Sequence, residues 1–161
     1  MREEILDHPF PPLFDAKSRT LILGSFPSVK SREQRFFYGH PQNRFWRVAA
    51  ALYQTPVPQT VEEKKTLILA NGLALWDVIG QCTITGSSDS SIRNAVPNDL
   101  SVILNQCPIT RVFTNGKTAS ALYDKYLLPQ TGIRAVALPS TSPANAAWDL
   151  AKLTEAWRKI L

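Results

Sequence analysis

Asn43 sits in the part of the chain where the chemistry concentrates. From Gly24 to Trp46 the sequence reads GSFPSVKSREQRFFYGHPQNRFW. It sets a strand end, a Gly/Pro loop, an aromatic cluster, one lone Asn and a helix start within twenty-three residues, with four basic side chains among them. Aromatic faces accept an unstacked base, basic side chains suit a phosphate backbone, and an uncharged amide can orient water and tolerate developing positive charge nearby. The combination suits chemistry on a base drawn out of a nucleic-acid strand. Lys30, Arg32, Arg35, Arg44 and Arg47 cluster there, and as a group they read as phosphate contacts, although a solvated charged face is the default for any one of them.

Other residues carry weaker signals. Asn43 also stands where a helix N-cap belongs, and the two roles are compatible. His40 precedes Pro41 and reads as a structural residue of a rigid turn. Asp77 follows an apolar run. It reads first as an anchor accepting loop N–H groups, and second as a carboxylate available near a strand end. Gly116-Lys117-Thr118 matches the end of a phosphate-binding P-loop, but that motif needs Gly at position 111 and Arg stands there, which argues against nucleotide hydrolysis. A helix N-terminus facing a DNA phosphate remains a reading of Asn115, Gly116 and Lys117. Cys82 and Cys107 have neither CxxC nor Cys/His spacing, so no metal site and no four-cysteine cluster are expected.

The elements that must position these residues alternate. Leu21–Leu23 reads as a buried parallel strand, and Arg44–Tyr53 as a helix with Phe45, Val48, Ala49 and Leu52 on one face. Thr60-x-x-Glu63 is a capping box opening a helix through Leu69, followed by a strand over Leu73–Val78. Asn98-Asp99 is expected to cap a helix through Gln106. Arg111–Thr114 is a third strand, Lys117–Leu127 a helix and Arg134–Leu138 a fourth strand. A last helix is expected from about Ala146, with Leu150, Leu153, Trp157 and Ile160 on one face. The stretch GSSDSSIRNAVP between the second strand and Asn98 reads as an irregular loop. The predicted fold class is α/β, a three-layer αβα sandwich on a central four-stranded, mainly parallel sheet. The whole chain forms one domain, with the loops after all four strands on one edge. At 161 residues the chain is long enough for one core. Its net charge of +5 and sequence pI near 9.4 favour a polyanionic partner, and no apolar run is long enough for a membrane span. A soluble, cytoplasmic protein is expected, associated with the nucleoid through DNA.

Three segments together carry a resemblance: GSFPS after the first strand, FYGHPQNRFW opening the next helix, and LPSTSPAN after the last strand. They resemble the uracil-DNA glycosylase superfamily over about Thr20–Ala146, and the pattern is most similar to its hypoxanthine (deoxyinosine) branch. The resemblance departs at Phe26, where many members place a catalytic Asp or Asn, and at Leu138, where the mismatch-specific enzymes carry Asn. It implies a catalytic role for Asn43. It implies base contacts from Gly24, Ser25, Phe26, Pro27, Ser28 and Tyr38, with Tyr38 stacking on the base. It implies DNA contacts from Lys30, Asn115, Gly116, Lys117 and the loop Pro139, Ser140, Thr141, Ser142 and Pro143, where Ser140 holds a phosphate and the loop enters the minor groove. The implied partner is double-stranded DNA carrying a deaminated base, the implied state a monomer, and no cofactor or metal is needed.

Glycosidic cleavage passes through an oxocarbenium-like sugar while the departing base gathers electrons, so a group orienting water and donors to the base are the expected services. The Asn43 carbonyl oxygen is a candidate for the first. Backbone N–H groups at Ser25–Ser28, or Ser140, are candidates for the second. Neither lysine 30 nor 117 is placed for covalent attack, so no lyase step is expected. Uracil or xanthine are the alternative substrates. A noncatalytic nucleic-acid-binding αβα module and a small-molecule α/β enzyme are the alternatives outside the class.

Overall fold

The computed structural model describes residues 3–85 and 91–161. In chain order the elements are β1 (Glu3–Asp7), β2 (Thr20–Gly24), α1 (Val29–Gln34), α2 (Phe45–Leu52), α3 (Val61–Ala70), β3 (Leu73–Asp77), β4 (Ile79–Thr85) and β5 (Arg93–Pro97). There follow α4 (Ser101–Leu104), β6 (Arg111–Asn115), α5 (Lys117–Tyr126), α6 (Leu128–Thr131), β7 (Ala135–Leu138) and α7 (Leu150–Trp157), which ends in a 3-10 turn at Arg158–Ile160. The main sheet has the order β3-β2-β6-β7 and every pair in it is parallel. Helices flank it in an α/β, three-layer arrangement, as the alternation of elements predicted. Leu21, Ile22 and Leu23 are fully inaccessible, which is why the central strand reads as a continuous apolar run rather than an alternating one.

Register brings the carboxyl ends of the strands level. Gly24 lies opposite Asp77, and Asn115 opposite Leu138, so the loops after all four strands open on one edge. The chain does not leave the sheet after Asp77. It bends at Val78 into β4, and the Val78 and Ile79 amides donate to the Gly24 and Ser25 carbonyls at 2.8 and 3.0 Å. The strand behind the first loop thereby fixes that loop's backbone.

The structure adds a second sheet that the sequence pattern did not reveal. β1, β4 and β5 pair antiparallel in the order β1-β4-β5. EEILD has too few apolar residues to alternate, so nothing in the sequence marks it as a strand, and in the fold β1 is mostly exposed. The expected irregular loop is corrected too: Arg93–Pro97 is β5, an edge strand whose pairing is broken by register shifts and which tolerates Pro97 at its end. Residues 86–90 of that stretch lie outside the described residues.

Two helices are shorter than expected. α4 is a single turn ending at Leu104, with Leu100 at its N-cap; Asp99 accepts from the Ser101 amide, whereas the Asn98 side chain turns away to the Asp77 and Ile79 carbonyls. α7 begins at Leu150 because Asp149 caps it by accepting from the Lys152 amide. Residues 140–148 are instead held as a loop. Leu153, Trp157 and Ile160 are buried as the apolar face predicted, while Leu150 is exposed. The capping box of Thr60 and Glu63 is present with both bonds formed. Among the described residues no helix is long and apolar enough to cross a membrane.

Candidate active site

A cleft of about 1100 Å³ opens at the carboxyl edge of the main sheet. Its wall takes the whole first loop, Gly24 to Ser28, together with Tyr38, His40, Asn43, Asp77, Asn115 and Lys117, and the loop from Pro139 to Asn145. Segments far apart in sequence therefore meet as the alternating topology requires. A smaller cavity of about 390 Å³ lies at the opposite edge of the sheet, around Arg19, Asn71 and Arg111, away from these groups.

Asn43 is locked from two sides. Its Oδ1 accepts from the Phe45 amide at 2.9 Å and from Thr141 Oγ1 at 2.9 Å. A backbone N–H can only donate, which fixes the amide's orientation: the oxygen faces the helix start and Nδ2 lies on the other side. Among the described residues Nδ2 has no hydrogen-bond partner. The N-cap position belongs to Arg44, which makes no side-chain cap bond, but Asn43 does the capping through its Oδ1 contact to Phe45. Capping therefore coexists with a place on the cleft wall, and the carbonyl oxygen is engaged by the protein.

Thr141 is fully buried and ties three segments together. Its Oγ1 donates to Asn43 and accepts from Asn115 Nδ2 at 3.0 Å, and its amide donates to Asn115 Oδ1 at 3.0 Å. The side chain of Asn115 is thus engaged within the protein at both its oxygen and its nitrogen. Gly116 turns the chain at φ 98°, where a Cβ would be strained and would lie 3.1 Å from that of Ser140. Lys117 then opens α5, exposed on the rim of the cleft.

The loop after β7 is built by its own polar groups and by Arg44. The Ser140 hydroxyl accepts from the Ser142 amide, Asn145 Nδ2 donates to the Ser140 carbonyl, and Trp157 Nε1 donates to the Pro139 carbonyl. The Arg44 guanidinium donates to the carbonyls of Ser142, Asn145 and Trp148, and its amide to that of Thr141. Pro143 and Ala144 are exposed at the tip.

Of the basic cluster expected at phosphates, three members are turned to the protein. Arg44 clamps the loop, Arg32 donates to the Pro27 carbonyl at 2.8 Å and lies over the Phe26 ring, and Arg47 reaches the Gln42 and Asn43 carbonyls. Fixed guanidinium forks satisfy carbonyls that irregular loops leave exposed, a use that single-residue reading does not separate from phosphate binding. Lys30 is exposed, pairs with Glu33 at 3.5 Å and lies off the cleft wall.

The floor is aromatic. Phe26 is 7% exposed, so it both packs beneath the loop and faces the cleft. The Tyr38 ring stacks on Phe45 with centroids 4.2 Å apart, so one of its faces is already covered. Tyr38 also stands at φ 52°, in the left-handed region that a bulky residue occupies at a cost of roughly 1–2 kcal/mol. Its Oη is buried without a hydrogen-bond partner. Burial holds the phenol pKa well above the ordinary tyrosine value, the Asp77 charge pushes the same way, and the nearby Asn115 side chain opposes both. Ser28 Oγ caps α1 by accepting from the Ser31 amide, and His40 Nδ1 accepts from the Gln42 amide, as a turn residue does.

Sequence reasoning missed His8. It follows β1, its amide donates to the Gly80 carbonyl at 2.7 Å, and its Nε2 lies 2.7 Å from Asp77 Oδ2. The side chains are 4% and 7% exposed. The sequence predicts Asp77 to accept loop amides; its carboxylate instead meets His8, while Asn98 pins its backbone carbonyl. The signal was absent because the pairing spans sixty-nine residues and depends on the unforeseen second sheet.

Known proteins share this chain's sequence pattern and fold. The family model of the uracil DNA glycosylase superfamily matches residues 11–161. A protein of Methanosarcina acetivorans named hypoxanthine DNA glycosylase is 34% identical over 153 residues, 94% of this chain and 95% of that one. A namesake from Methanosarcina barkeri is 32% identical over 84% of this chain and 86% of its own. A solution NMR structure of a Methanosarcina acetivorans protein, provisionally named a uracil DNA glycosylase, superposes with a TM-score of 0.80 at 30% identity. It covers 98% of this chain and 99% of its own.

Proposed function

The chain belongs to the uracil DNA glycosylase superfamily, and from that premise we propose that it is a monofunctional DNA glycosylase that hydrolyses the N-glycosidic bond of deaminated bases, hypoxanthine first. Its substrate is double-stranded DNA and it acts as a monomer. The observation that carries the reading is the placement of Asn43. One amide, fixed by Thr141 and the Phe45 amide, lines the cleft where the first loop, the aromatic floor and the last loop converge.

The geometry changes how Asn43 acts. With Oδ1 held by two donors, the capacity left to the amide is the pair of Nδ2 hydrogens. Donation suits the departing base, which gathers electron density as the C1′–N bond breaks, and a hydrogen bond that strengthens with that charge accelerates the step. The neutral amide adds no positive charge against the oxocarbenium-like sugar. Phe26 and Tyr38 supply the apolar walls for the extruded base. Lys117 at the start of α5 meets a flanking phosphate, where the charge and the helix amides act together. The Pro139–Pro143 loop, stiffened by Arg44, approaches the duplex at the gap the base leaves. Hydrolysis of this bond needs water and no cofactor.

The test is a single-turnover incubation of end-labelled duplexes carrying one deoxyinosine, uracil or xanthine, followed by hot alkali. Cleavage at inosine is expected, falling by about 100-fold or more in Asn43→Ala, the scale seen for loss of a single donor to developing charge. Asn43→Asp separates the two possible roles, because it keeps an acceptor and removes the donors. It is expected to fall like the Ala variant. Retained activity in Asn43→Asp sinks the donor role, and cleavage at uracil alone sinks the substrate.

A further inference from the structure

The mechanism above leaves the His8–Asp77 pair unused. Charged and polar side chains rarely lie this deep unless they are satisfied, and only half of this carboxylate is. Oδ2 is taken by His8, whereas Oδ1 has no hydrogen-bond partner among the described residues, on a side chain that lines the cleft. The orientation of the ring's hydrogen bonds follows from geometry. The Phe10 amide points at His8 Nδ1 at 3.5 Å, and an amide can only donate, so Nδ1 is the accepting nitrogen and Nε2 carries the hydrogen that Asp77 Oδ2 receives. Rings of Phe10, Phe26, Phe37 and Trp76 surround the imidazole, so it has one orientation. Asn98 fixes the Asp77 backbone from behind, and Gly24 supplies the room: a Cβ there would fall 2.4 Å from Asp77 Oδ1 and 3.5 Å from Tyr38 Oη. An unsatisfied acceptor and an unsatisfied buried donor thus sit over the same glycine, at the bottom of the cleft.

We propose that Asp77, positioned by His8, reads the ring N–H of the extruded base while the Tyr38 hydroxyl donates to the neighbouring carbonyl. This rests on the glycosylase reading above and names the feature of the base that the site selects. Deamination of adenine or cytosine converts a ring nitrogen that accepts into one that donates, and the exocyclic amine beside it into a carbonyl. Hypoxanthine and uracil therefore share an N–H next to a C=O, the complement of a carboxylate next to a phenol. Adenine and cytosine would set a nitrogen lone pair against the Asp77 carboxylate and an amine against the Tyr38 hydroxyl, and a buried polar group left unmatched discriminates strongly. Xanthine carries the same edge. Guanine does too, so its exclusion falls to its 2-amino group and to the strength of the pair that opposes its extrusion. His8 touches no base; it holds the carboxylate so that Oδ1 faces the cleft.

The probe is a pair of duplexes carrying deoxyinosine or deoxynebularine, the purine nucleoside that lacks both the N1–H and the 6-oxo group. The two are excised by the same protein sample, so the ratio of their single-turnover rates is insensitive to the fraction folded and, compared between variants, to the bases' different leaving tendencies. In Asp77→Ala the inosine-to-nebularine ratio is expected to fall at least about tenfold, one lost hydrogen bond to a charged acceptor. In His8→Leu it is expected to fall likewise, and in His8→Gln, which keeps a donor near the Nε2 position, to return towards wild type. For a variant too slow to turn over, binding of free hypoxanthine against free purine to the enzyme saturated with abasic duplex reads the same ratio. An unchanged ratio in Asp77→Ala overturns the assignment of Asp77. A lowered ratio in Asp77→Ala with no change in His8→Leu overturns the role of His8. A wild-type protein that excises neither base removes the glycosylase reading itself, a result distinct from either.

Discussion

Thr141→Val tests the network that holds Asn43. Valine has nearly the same shape, so the variant opens no cavity at a position that is fully buried, and what it removes is one hydroxyl. Two hydrogen bonds go with it, the donation to Asn43 Oδ1 at 2.9 Å and the acceptance from Asn115 Nδ2 at 3.0 Å. Each is worth about 1 kcal/mol net, and stranding the Asn115 amide adds a desolvation term, so a loss of about 2–3 kcal/mol is expected. For a domain of this size that lowers Tm by roughly 4–12 °C. Asn43 keeps the Phe45 amide but can rotate about it, and losing its second restraint is expected to slow deoxyinosine excision by about tenfold or more, some 1.4 kcal/mol in the barrier. Thermal unfolding and single-turnover excision read the two effects separately, and Thr141→Ser, which retains the hydroxyl, should recover most of both. A Tm within about 2 °C of wild type would refute the energetic account. A lowered Tm with an unchanged rate would show that the network serves the fold and leaves Asn43 indifferent to it.

Gly24→Ala places a methyl carbon 2.4 Å from Asp77 Oδ1, so something must shift. Overpacking of this kind costs about 1–3 kcal/mol, measured by urea unfolding, and Gly24→Ala combined with Asp77→Ala should recover part of it; strict additivity of the two would show that the methyl clashes elsewhere. Tyr38→Phe removes a buried hydroxyl without a partner and is expected to be neutral or stabilising near pH 7. The folded phenol pKa is raised, so native Tyr38 keeps its proton while the unfolded chain releases it near pH 10. The contribution of neutral Tyr38 to wild-type stability is therefore fully present below about pH 10 and declines as pH rises above it, and the Phe variant lacks that decline. Urea midpoints at pH 8 and pH 11 should diverge in favour of Tyr38→Phe; parallel curves would contradict the assigned burial.

What the sequence disclosed of the fold follows from how local its signals are. β2 announces itself because a strand covered on both faces has no polar positions, and α3 because a capping box and an Asn-Gly end are short-range chemistry. β1 and β5 stayed hidden because they are exposed edges of a small antiparallel sheet. Their residues are held by pairing with β4 rather than by burial, and no apolar alternation marks such a strand. α4 was overextended because Asn98 and Asp99 look alike as caps. Neither is the N-cap, which is Leu100: Asp99 accepts from the Ser101 amide, and Asn98 is drawn off by two carbonyls where β3 bends into β4.

The site divides along the same line. Asn43 could be singled out because its neighbours in sequence are its neighbours in space, yet which end of its amide is left free depends on Thr141, ninety-eight residues away. Arg44 shows the reverse error. Its charge suggested a phosphate, and its partners are three carbonyls of a loop that only the closed topology brings beside it. A basic side chain next to an irregular loop has two ways to satisfy its donors, and the sequence is silent on which wins, because the competing acceptors are backbone atoms present at every position. His8 carries the argument furthest. It lies outside every motif, on a segment with no core pattern, yet it fixes the carboxylate opposite Gly24 that gives the cleft its one unsatisfied charged acceptor among the described residues. Motifs mark where a reaction happens because they gather chemistry along the chain. Selectivity is set where strand ends from different units converge, and there the decisive pair, His8 with Asp77, is visible only once the sheet is closed.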